Sequence, residues 1–240
     1  MNQNQNSKIK LGDSAKAIAA IVNATPGTPL ILDFDETLLL RNSTAEYIDN
    51  LHPRLLGFTI IMLLKLVKPW RWLPQPFRGE QTKDWFLVII PTLLLPWTLL
   101  LWRQQAKSLA QDYSNNELIS AVNHADTPVI VASLGFNFII KPILQQMPVR
   151  YDSLVSCRFW RGAGDRHQGK LLMIQQALSE SEINSAILIT DSEDDLPLLQ
   201  VVEQPYFVLW SSAKYVAPFH SFWLNSWAKK LKNLSLLSFF

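Results

Sequence analysis

Two aspartates, two positions apart, follow a short apolar segment near the start of the chain. Asp33 and Asp35 come directly after the apolar residues 30–32. A buried run of this length predicts a parallel strand, and open α/β sheets carry their chemical groups at the carboxyl ends of strands. Alternation along an extended backbone predicts that both carboxylates point the same way, with Phe34 turned into the core. Two close carboxylates need a cation between them or a shared proton, and Mg²⁺ prefers their oxygens.

Further polar residues follow the next predicted strands. Ser133 ends an apolar segment, Lys170 opens a predicted helix, and Asp191 and Asp195 follow another apolar segment. Each has an ordinary structural alternative, namely a helix cap, a solvated surface lysine and an acidic helix start. Taken together, they lie in a fixed order along the same edge of one sheet. That arrangement favours phosphoryl transfer.

These residues resemble the motifs of the haloacid-dehalogenase-like (HAD) superfamily of hydrolases, particularly its phosphoserine-phosphatase-like phosphatases. The matching segments are residues 33–37 (Asp-Phe-Asp-Glu-Thr), residues 133–136 (Ser-Leu-Gly-Phe), Lys170, and Asp191 with Asp195. The resemblance covers roughly residues 28–40 and 114–210. The sequence departs from the family pattern at three positions, because glycine is usual at Thr190 and Ser192 and asparagine is common at Asp194.

The resemblance implies a Mg²⁺-dependent phosphatase. Asp33 would attack phosphorus and form an aspartyl-phosphate, and Asp35 would protonate the leaving group and then activate water. The implied metal site comprises Asp33, Asp35 through its backbone carbonyl, Asp191 and Asp195, and Asp195 would position the metal's waters or Lys170. The implied phosphate-binding residues are Ser133, Leu134, Gly135 and Lys170.

The predicted fold is an α/β, Rossmann-like parallel sheet with helices on both faces and a hydrophobic helical cap inserted after the first strand. We predict strands at residues 30–33, 129–132, 154–157, 186–190 and 206–209. Predicted helices are residues 14–23, a helix from a capping box at 114–117 to His124, 135–146, 169–178 and 194–202. The predicted domains are a catalytic core of residues 1–40 and 114–210, a cap insertion of residues 41–113, and an amphipathic carboxyl tail of residues 211–240. Residues 1–12 are predicted to be a disordered lead-in.

The insertion, residues 41–113, has an unusual composition for a soluble cap. It contains an apolar run of ten residues at 55–64 and an uncharged run of eighteen at 85–102 that Pro91 and Pro96 interrupt. Residues 51–107 contain eight Lys and Arg residues but two acidic residues, and five of the nine Trp residues fall between 70 and 102. Basic and aromatic side chains beside apolar runs are typical of segments at a membrane interface.

Three arrangements of the insertion stay open. It could be a hairpin seated in one leaflet with its Trp, Lys and Arg residues at headgroup depth, a pair of crossings, or a cap buried against the core or a partner. An odd number of crossings is excluded, because Asp33 precedes the insertion and its partners follow it. We favour the hairpin, which predicts a membrane-associated enzyme at the cytoplasmic face acting on a phosphomonoester that carries a lipid.

Other properties of the chain bound its partners. The net charge of +2 gives no indication of nucleic-acid binding, and we expect no such partner. The single cysteine, Cys157, excludes an internal disulfide and fits a reducing compartment. Two other functions compete with the lipid-phosphatase hypothesis: a soluble small-metabolite phosphatase with a dimerising cap, and a non-catalytic membrane scaffold. The sequence leaves the oligomeric state open.

Overall fold

A parallel six-stranded sheet forms the centre of the protein. The computed structural model describes residues 10–11, 13–75 and 77–213. The strands are β1 (Lys10–Leu11), β2 (Leu30–Asp33), β3 (Val129–Phe136), β4 (Ser153–Cys157), β5 (Ile187–Thr190) and β6 (Gln204–Phe207). Their order across the sheet is β1-β6-β5-β2-β3-β4, and all the pairs are parallel. The strand that carries Asp33 therefore lies between β3 and β5, and those two strands precede the other candidate residues.

Helices cover both faces of the sheet. They are α1 (Ser14–Val22), α2 (Ser43–Asp49), α3 (Arg54–Val67), α4 (Glu80–Leu94), α5 (Thr98–Tyr113), α6 (Asn116–His124), α7 (Asn137–Leu144), α8 (Gly162–Ile174), α9 (Glu180–Ser185) and α10 (Leu196–Val201). Successive residues of β2 point to opposite faces, so Leu30 and Leu32 join one buried cluster and Ile31 joins the other. A strand buried on both faces reads as a continuous apolar run. The predicted fold class is confirmed.

Several predicted boundaries were wrong. Asn115, not Ser114, caps α6, because its side chain accepts a hydrogen bond from the amide of Leu118. Ser114 instead donates to the carbonyl of Ala110 at the end of α5. The strand predicted to end at residue 132 continues to Phe136. Helix α9 was not predicted, although its capping box of Ser179 and Glu182 is visible in the sequence.

The structure tests the prediction for the start of the chain but hardly that for its end. Lys10–Leu11, predicted to be part of a disordered lead-in, pairs with β6 at the edge of the sheet. The amphipathic tail predicted for residues 211–240 lies outside the described residues except for positions 211–213.

The insertion leaves and re-enters the core at one place. The amide of Leu40 donates to the carbonyl of Tyr113 at 2.7 Å, and the amide of Asn115 donates to the carbonyl of Leu38 at 2.9 Å. Helix α4 packs on α8 and helix α5 packs on α7. The Trp85 indole donates to the carbonyl of Phe159 at 3.0 Å. The insertion therefore rests on the core beside the strand that carries Asp33.

The tryptophans of the insertion do not form one surface. Trp70 and Trp102 are buried, whereas Trp72 and Trp97 are exposed. The expectation that all five line a headgroup region is thus wrong for Trp70 and Trp102, which pack in the interior. In the described residues no single helix has the length and apolarity to cross a membrane. Two bent pairs of helices reach that length and apolarity when taken together: α2 with residues 54–71, and residues 82–94 with α5, each pair bent by 118°.

Trp102 joins the insertion to the core and provides a test of this packing. It is 1% exposed, its indole donates to the carbonyl of Ile139 at 3.0 Å, and its ring meets Tyr47 edge-on at 5.2 Å. We expect Trp102→Ala to lower the free energy of unfolding by ~3–5 kcal/mol, because it leaves a large cavity. Urea unfolding measures the change. The control is Trp72→Ala, whose side chain is 75% exposed and whose loss should cost under ~0.5 kcal/mol. Equal losses in the two variants would contradict the packing described.

Candidate active site

Asp33 is held at both carboxylate oxygens. It is the last residue of β2, in register with Ala132 of β3, and it is buried. Oδ1 accepts from the amide of Phe34 at 2.7 Å and lies 2.9 Å from Lys170 Nζ, while Oδ2 accepts from the Thr190 hydroxyl at 2.8 Å. With three donors on two oxygens, the carboxylate has a fixed orientation.

Lys170 lies between two buried carboxylates. Its Nζ is 2.6 Å from Asp195 Oδ2 as well as 2.9 Å from Asp33, and the side chain is 3% exposed. Burial opposes the ammonium charge, but Asp195 and Asp33 outweigh it and raise the pKa of Lys170. Burial also raises the pKa of Asp195 to about 6, against the opposing charge of Lys170. A charge is retained in the interior here because its partners are within hydrogen-bond distance.

A glycine places the lysine. Helix α8 was predicted to begin at residue 169; it begins at Gly162, but the backbone breaks at Gly169, where φ is 80°. This left-handed conformation favours glycine, and a second helical segment starts at Lys170. The predicted position of Lys170 at a helix start is therefore correct for this second segment.

Asp35 has a separate set of partners. Its Oδ1 accepts from the amide of Ser43 in α2 at 2.6 Å, and its Oδ2 accepts from the Ser133 hydroxyl at 3.1 Å. Burial raises the pKa of Asp35, and the charge of Asp33 adds to this, although the bonds from Ser43 and Ser133 oppose it. A raised pKa favours the protonated carboxyl that a general acid requires.

A helix was predicted to begin at residue 135, shortly after the part of β3 that pairs with β2. Instead β3 extends through Ser133, Leu134 and Gly135 with a shift in register, and α7 begins at Asn137. The amide of Gly135 donates to Ser133 Oγ at 2.9 Å. A Cβ on Gly135 would lie 2.7 Å from Ile140 Cδ1 and 3.2 Å from Asp35 Oδ2, so a side chain at this position would require its neighbours to shift. The implied phosphate-binding residues Leu134 and Gly135 therefore belong to a strand end, and the helix predicted from residue 135 begins only at Asn137.

Leu134 connects this strand end to the insertion. Its carbonyl accepts from Arg166 at 2.6 Å and from the Cys157 thiol at 3.2 Å. The same Arg166 guanidinium pairs with Asp84 of α4 at 2.6 Å. Arg166 thus contacts both the predicted phosphate-binding segment and the insertion, a link that no sequence pattern predicted.

Asp191 follows β5 and is buried near Asp33. Its Oδ1 accepts from the Thr37 hydroxyl at 3.0 Å, and Asn115 donates to the Thr37 carbonyl at 3.0 Å. Burial raises the pKa of Asp191, and so does the neighbouring charge of Asp33. Thr37 had been noted only as part of a motif, and its role in holding Asp191 was missed.

The three departures from the family pattern have distinct environments. Thr190 donates to Asp33 Oδ2 at 2.8 Å, lies 2.6 Å from Asp195 Oδ2, and accepts from the amide of Ser192. Ser192 caps the short 3-10 helix at Glu193–Asp195 by accepting from the amide of Asp194. Thr190 therefore adds a direct link between two candidate site residues that a glycine could not make.

The donor set matches a hard divalent cation in chemistry. Asp33, Asp191 and Asp195 supply buried carboxylate oxygens, and Asp195 Oδ1 has no hydrogen-bond partner. No group of three or more acidic, histidine or cysteine side chains converges on one point in the parts of the chain described. Mg²⁺ is usually bound by one or two carboxylates together with waters and substrate phosphates, so such a cluster is not required. The residues therefore fit Mg²⁺ by donor type.

Comparison with known proteins agrees with the fold. No protein-family model matches the sequence, and no curated protein does. Among solved structures, a protein of unknown function from Bordetella pertussis Tohama I has 19% identity and a TM-score of 0.56, over 75% of this chain and 89% of that one. The two chains share a fold.

Two more distant matches have hydrolase names. A phosphoserine phosphohydrolase-like protein from Francisella tularensis subsp. tularensis SCHU S4 has 15% identity and a TM-score of 0.41, over 80% of this chain and 95% of that one. A HAD family hydrolase from Salmonella enterica subsp. enterica serovar Typhi has 11% identity and a TM-score of 0.39, over 75% and 62%. Because these TM-scores are below 0.5, the function proposed below depends on the geometry of the site.

The cluster of carboxylates predicts how stability depends on pH. Burial raises the pKa of Glu36 from 4.5 to about 7, and the charges of Asp35 and Asp33 add to this. At Glu36 the folded protein therefore binds more protons than the unfolded chain between these values, so the contribution of Glu36 to stability falls as pH rises from about 4.5 through 7. We expect Glu36→Gln to raise the free energy of unfolding at pH ~8 by on the order of 1–2 kcal/mol in EDTA, after allowance for partial exposure.

Chemical denaturation at a series of pH values measures this effect. The control is Glu203→Gln, which removes an exposed carboxylate away from the cluster. If Glu36→Gln leaves the pH profile as steep as in the wild type, burial and the neighbouring carboxylates do not raise the pKa of Glu36 as described.

Proposed function

We propose that this protein is a HAD-like phosphatase that hydrolyses a phosphomonoester through an aspartyl-phosphate. The observation that carries the proposal is the contrast between its two aspartates. Asp33 is fixed beside the Lys170 ammonium, whereas Asp35 is bonded to Ser43 and Ser133 and has a raised pKa. Neighbouring carboxyl groups in different environments take different roles, one charged and one protonated.

The proposed roles follow from these contacts. Asp33 is the nucleophile, because its neighbours Lys170 and Thr190 hold its carboxylate in a fixed orientation at the end of β2. Asp35 gives its proton to the leaving oxygen and then takes one from the water that cleaves the aspartyl-phosphate. Lys170 stabilises negative charge on the transferring phosphoryl group. Ser133 and the segment around Gly135 bind the phosphoryl oxygens from the β3 side.

We also propose that the enzyme uses Mg²⁺. Asp33, Asp191 and the backbone carbonyl of Asp35 would hold the ion, with Asp195 near it through its unpartnered Oδ1. When bound, Mg²⁺ would neutralise charge on phosphoryl oxygens. Burial and the neighbouring charge of Asp33 raise the pKa of Asp191, and a bound cation would oppose this and favour the charged carboxylate.

The insertion supports a location at a membrane surface. Helix α3 exposes Leu55, Phe58, Met62 and Leu66, which are spaced by three or four residues and so lie along one side of the helix. We call this set, with its exposed neighbours, the apolar face; the neighbours are Leu56, Leu63 and Val67 on α3 and Leu93, Leu94, Trp97, Leu100 and Leu101 around the turn from α4 to α5. An exposed apolar surface of this extent marks a membrane or protein interaction site.

A hydrogen bond brings the two parts of the apolar face together. The Trp97 indole donates to the carbonyl of His52 at 2.6 Å, so the turn between α4 and α5 lies against the turn between α2 and α3. Exposed leucines flank both turns. We propose that this end of the insertion dips into one leaflet at the cytoplasmic face, where the active site would meet a lipid-linked phosphomonoester.

The variants Asp33→Asn and Asp35→Asn are expected to lose phosphatase activity in different ways. Asp33→Asn removes the nucleophile and should reduce hydrolysis of every phosphomonoester to background. Asp35→Asn removes only the proton donor, so it should slow alkyl phosphates by a further ~10²-fold relative to an activated aryl phosphate, whose leaving group needs no proton. Steady-state rates with p-nitrophenyl phosphate and glycerol 3-phosphate, with and without Mg²⁺, measure both effects.

The control for this pair is Asp112→Asn, which removes an exposed carboxylate on α5. Wild-type turnover by Asp33→Asn would refute the proposed nucleophile. Equal losses of Asp35→Asn on both substrates would show that Asp35 has a structural role.

The apolar face is expected to hold the protein on lipid. Burial of four Leu-sized side chains contributes ~6–12 kcal/mol before ordering costs, which exceeds the ~1 kcal/mol per cation from anionic headgroups. In liposome flotation, high salt should therefore leave the wild type bound, and detergent should release it. Replacing Leu55, Phe58, Met62 and Leu66 by Gln should abolish flotation.

The matched control is Val22→Gln with Leu172→Gln, two exposed apolar side chains outside the insertion. A wild-type protein that fails to float with neutral and with anionic vesicles would refute the membrane location. A stable dimer that the same four substitutions dissociate would then indicate a dimerising cap.

A further inference from the structure

A cleft lies between α5 of the insertion and α7 of the core. It has a volume of about 610 Å³, and its lining includes Leu99 and Arg103 from α5 and Lys141, Gln145 and Gln146 from or just after α7. None of the aspartates of the candidate active site lines it. The cleft is thus a separate feature that the proposed reaction does not use.

The lining of the cleft has the chemistry of an anion site. Arg103 and Lys141 supply two cations, and the amides of Gln145 and Gln146 supply neutral donors. No acidic side chain lines the cleft. Over the ranges that the structure describes, neither Arg103 nor Lys141 forms an ion pair. Two cations from different helices that line one cleft without a carboxylate give it a positive potential, which attracts an anion.

The position of the cleft relates it to the apolar face. Leu100, a member of that face, precedes Arg103 by three residues on α5, which is ~4.5 Å along the helix axis. Leu99, one turn before Arg103, lines the cleft itself. If the apolar face is buried among acyl chains, the two cations lie at the depth of the phosphate groups, as in other interfacial segments.

We propose that the cleft between α5 and α7 binds the phosphate ester group of an amphiphile through Arg103 and Lys141. Arginine presents a planar fork of donors that matches two phosphate oxygens, and lysine adds a second point charge. The apolar side chains next to the cleft favour a membrane phospholipid as the source of the phosphate, although a soluble phosphate ester offers the same chemistry. The proposal rests on the membrane location proposed above and is independent of the phosphatase activity.

Vesicle binding by the full-length protein tests the site. Binding is measured by flotation on phosphatidylcholine vesicles and on vesicles that also contain phosphatidylglycerol, a phosphodiester that a phosphomonoesterase does not hydrolyse. Arg103→Gln and Lys141→Gln should each reduce the preference for anionic vesicles about fivefold, which corresponds to one headgroup contact per cation. The side chains of Arg103 and Lys141 are both exposed, so the unfolding midpoint of each variant should stay at the wild-type value.

Lys107→Gln is the matched control. Lys107 lies one turn beyond Arg103 on the same helix, is also exposed, and does not line the cleft. We expect this variant to lose less than half of the effect of Arg103→Gln. An equal loss in the two variants would overturn the proposal, because it would show diffuse attraction of basic residues to the surface.

A soluble competitor distinguishes the two sources of phosphate. The competitor is glycerophosphoglycerol, a soluble phosphodiester that a phosphomonoesterase does not hydrolyse. If it abolishes the preference for anionic vesicles, the cleft accepts free phosphate esters, whereas no effect would show that it binds lipid. Strong and equal binding to both vesicle types would overturn the cleft but leave the membrane location intact. Absence of binding to either type would overturn both, and phosphatase assays in solution would still test the catalytic proposal.

Discussion

The buried ammonium of Lys170 is the interaction on which the rest of the site depends. Asp33 is the last residue of β2 and Asp195 follows β5, and each carboxylate would repel the other without a cation between them. Removal of one partner from a buried ion pair leaves an uncompensated charge, which costs ~3–5 kcal/mol. The break at Gly169, the length of β2 and the path of the chain after β5 all serve to bring these three side chains together.

The insertion shares side chains with the site instead of standing apart from it. Ser43 of α2 donates to Asp35, and Arg166 of α8 bonds both the Leu134 carbonyl and Asp84 of α4. A displacement of α2 or α4 would therefore change the partners of the proposed acid or of the phosphate-binding segment. If the apolar face inserts into a membrane, the depth of insertion would affect the hydrogen bonds of Ser43 and Arg166.

Much of the core could be predicted because its signals are local. Residues 30–33 form an uninterrupted buried strand, and their apolar run is sufficient to indicate it. The end of β3 could not be predicted in the same way. Its continuation to Phe136 depends on pairing with Cys157 of β4, a contact between segments far apart in sequence. The cap of α6 was misplaced for a related reason, since Ser114 is engaged by the preceding helix and leaves the capping role to Asn115.

By itself the sequence determined which residue types stand at the ends of the strands, since the order of Asp33, Ser133, Lys170 and Asp191 and the apolar runs before them are properties of the chain. Only the tertiary structure decided how these residues pair. Composition could not separate the buried Trp102 from an exposed tryptophan, because burial depends on which helix packs against it. Nor could it place the cleft of Arg103, which exists only because α5 lies against α7.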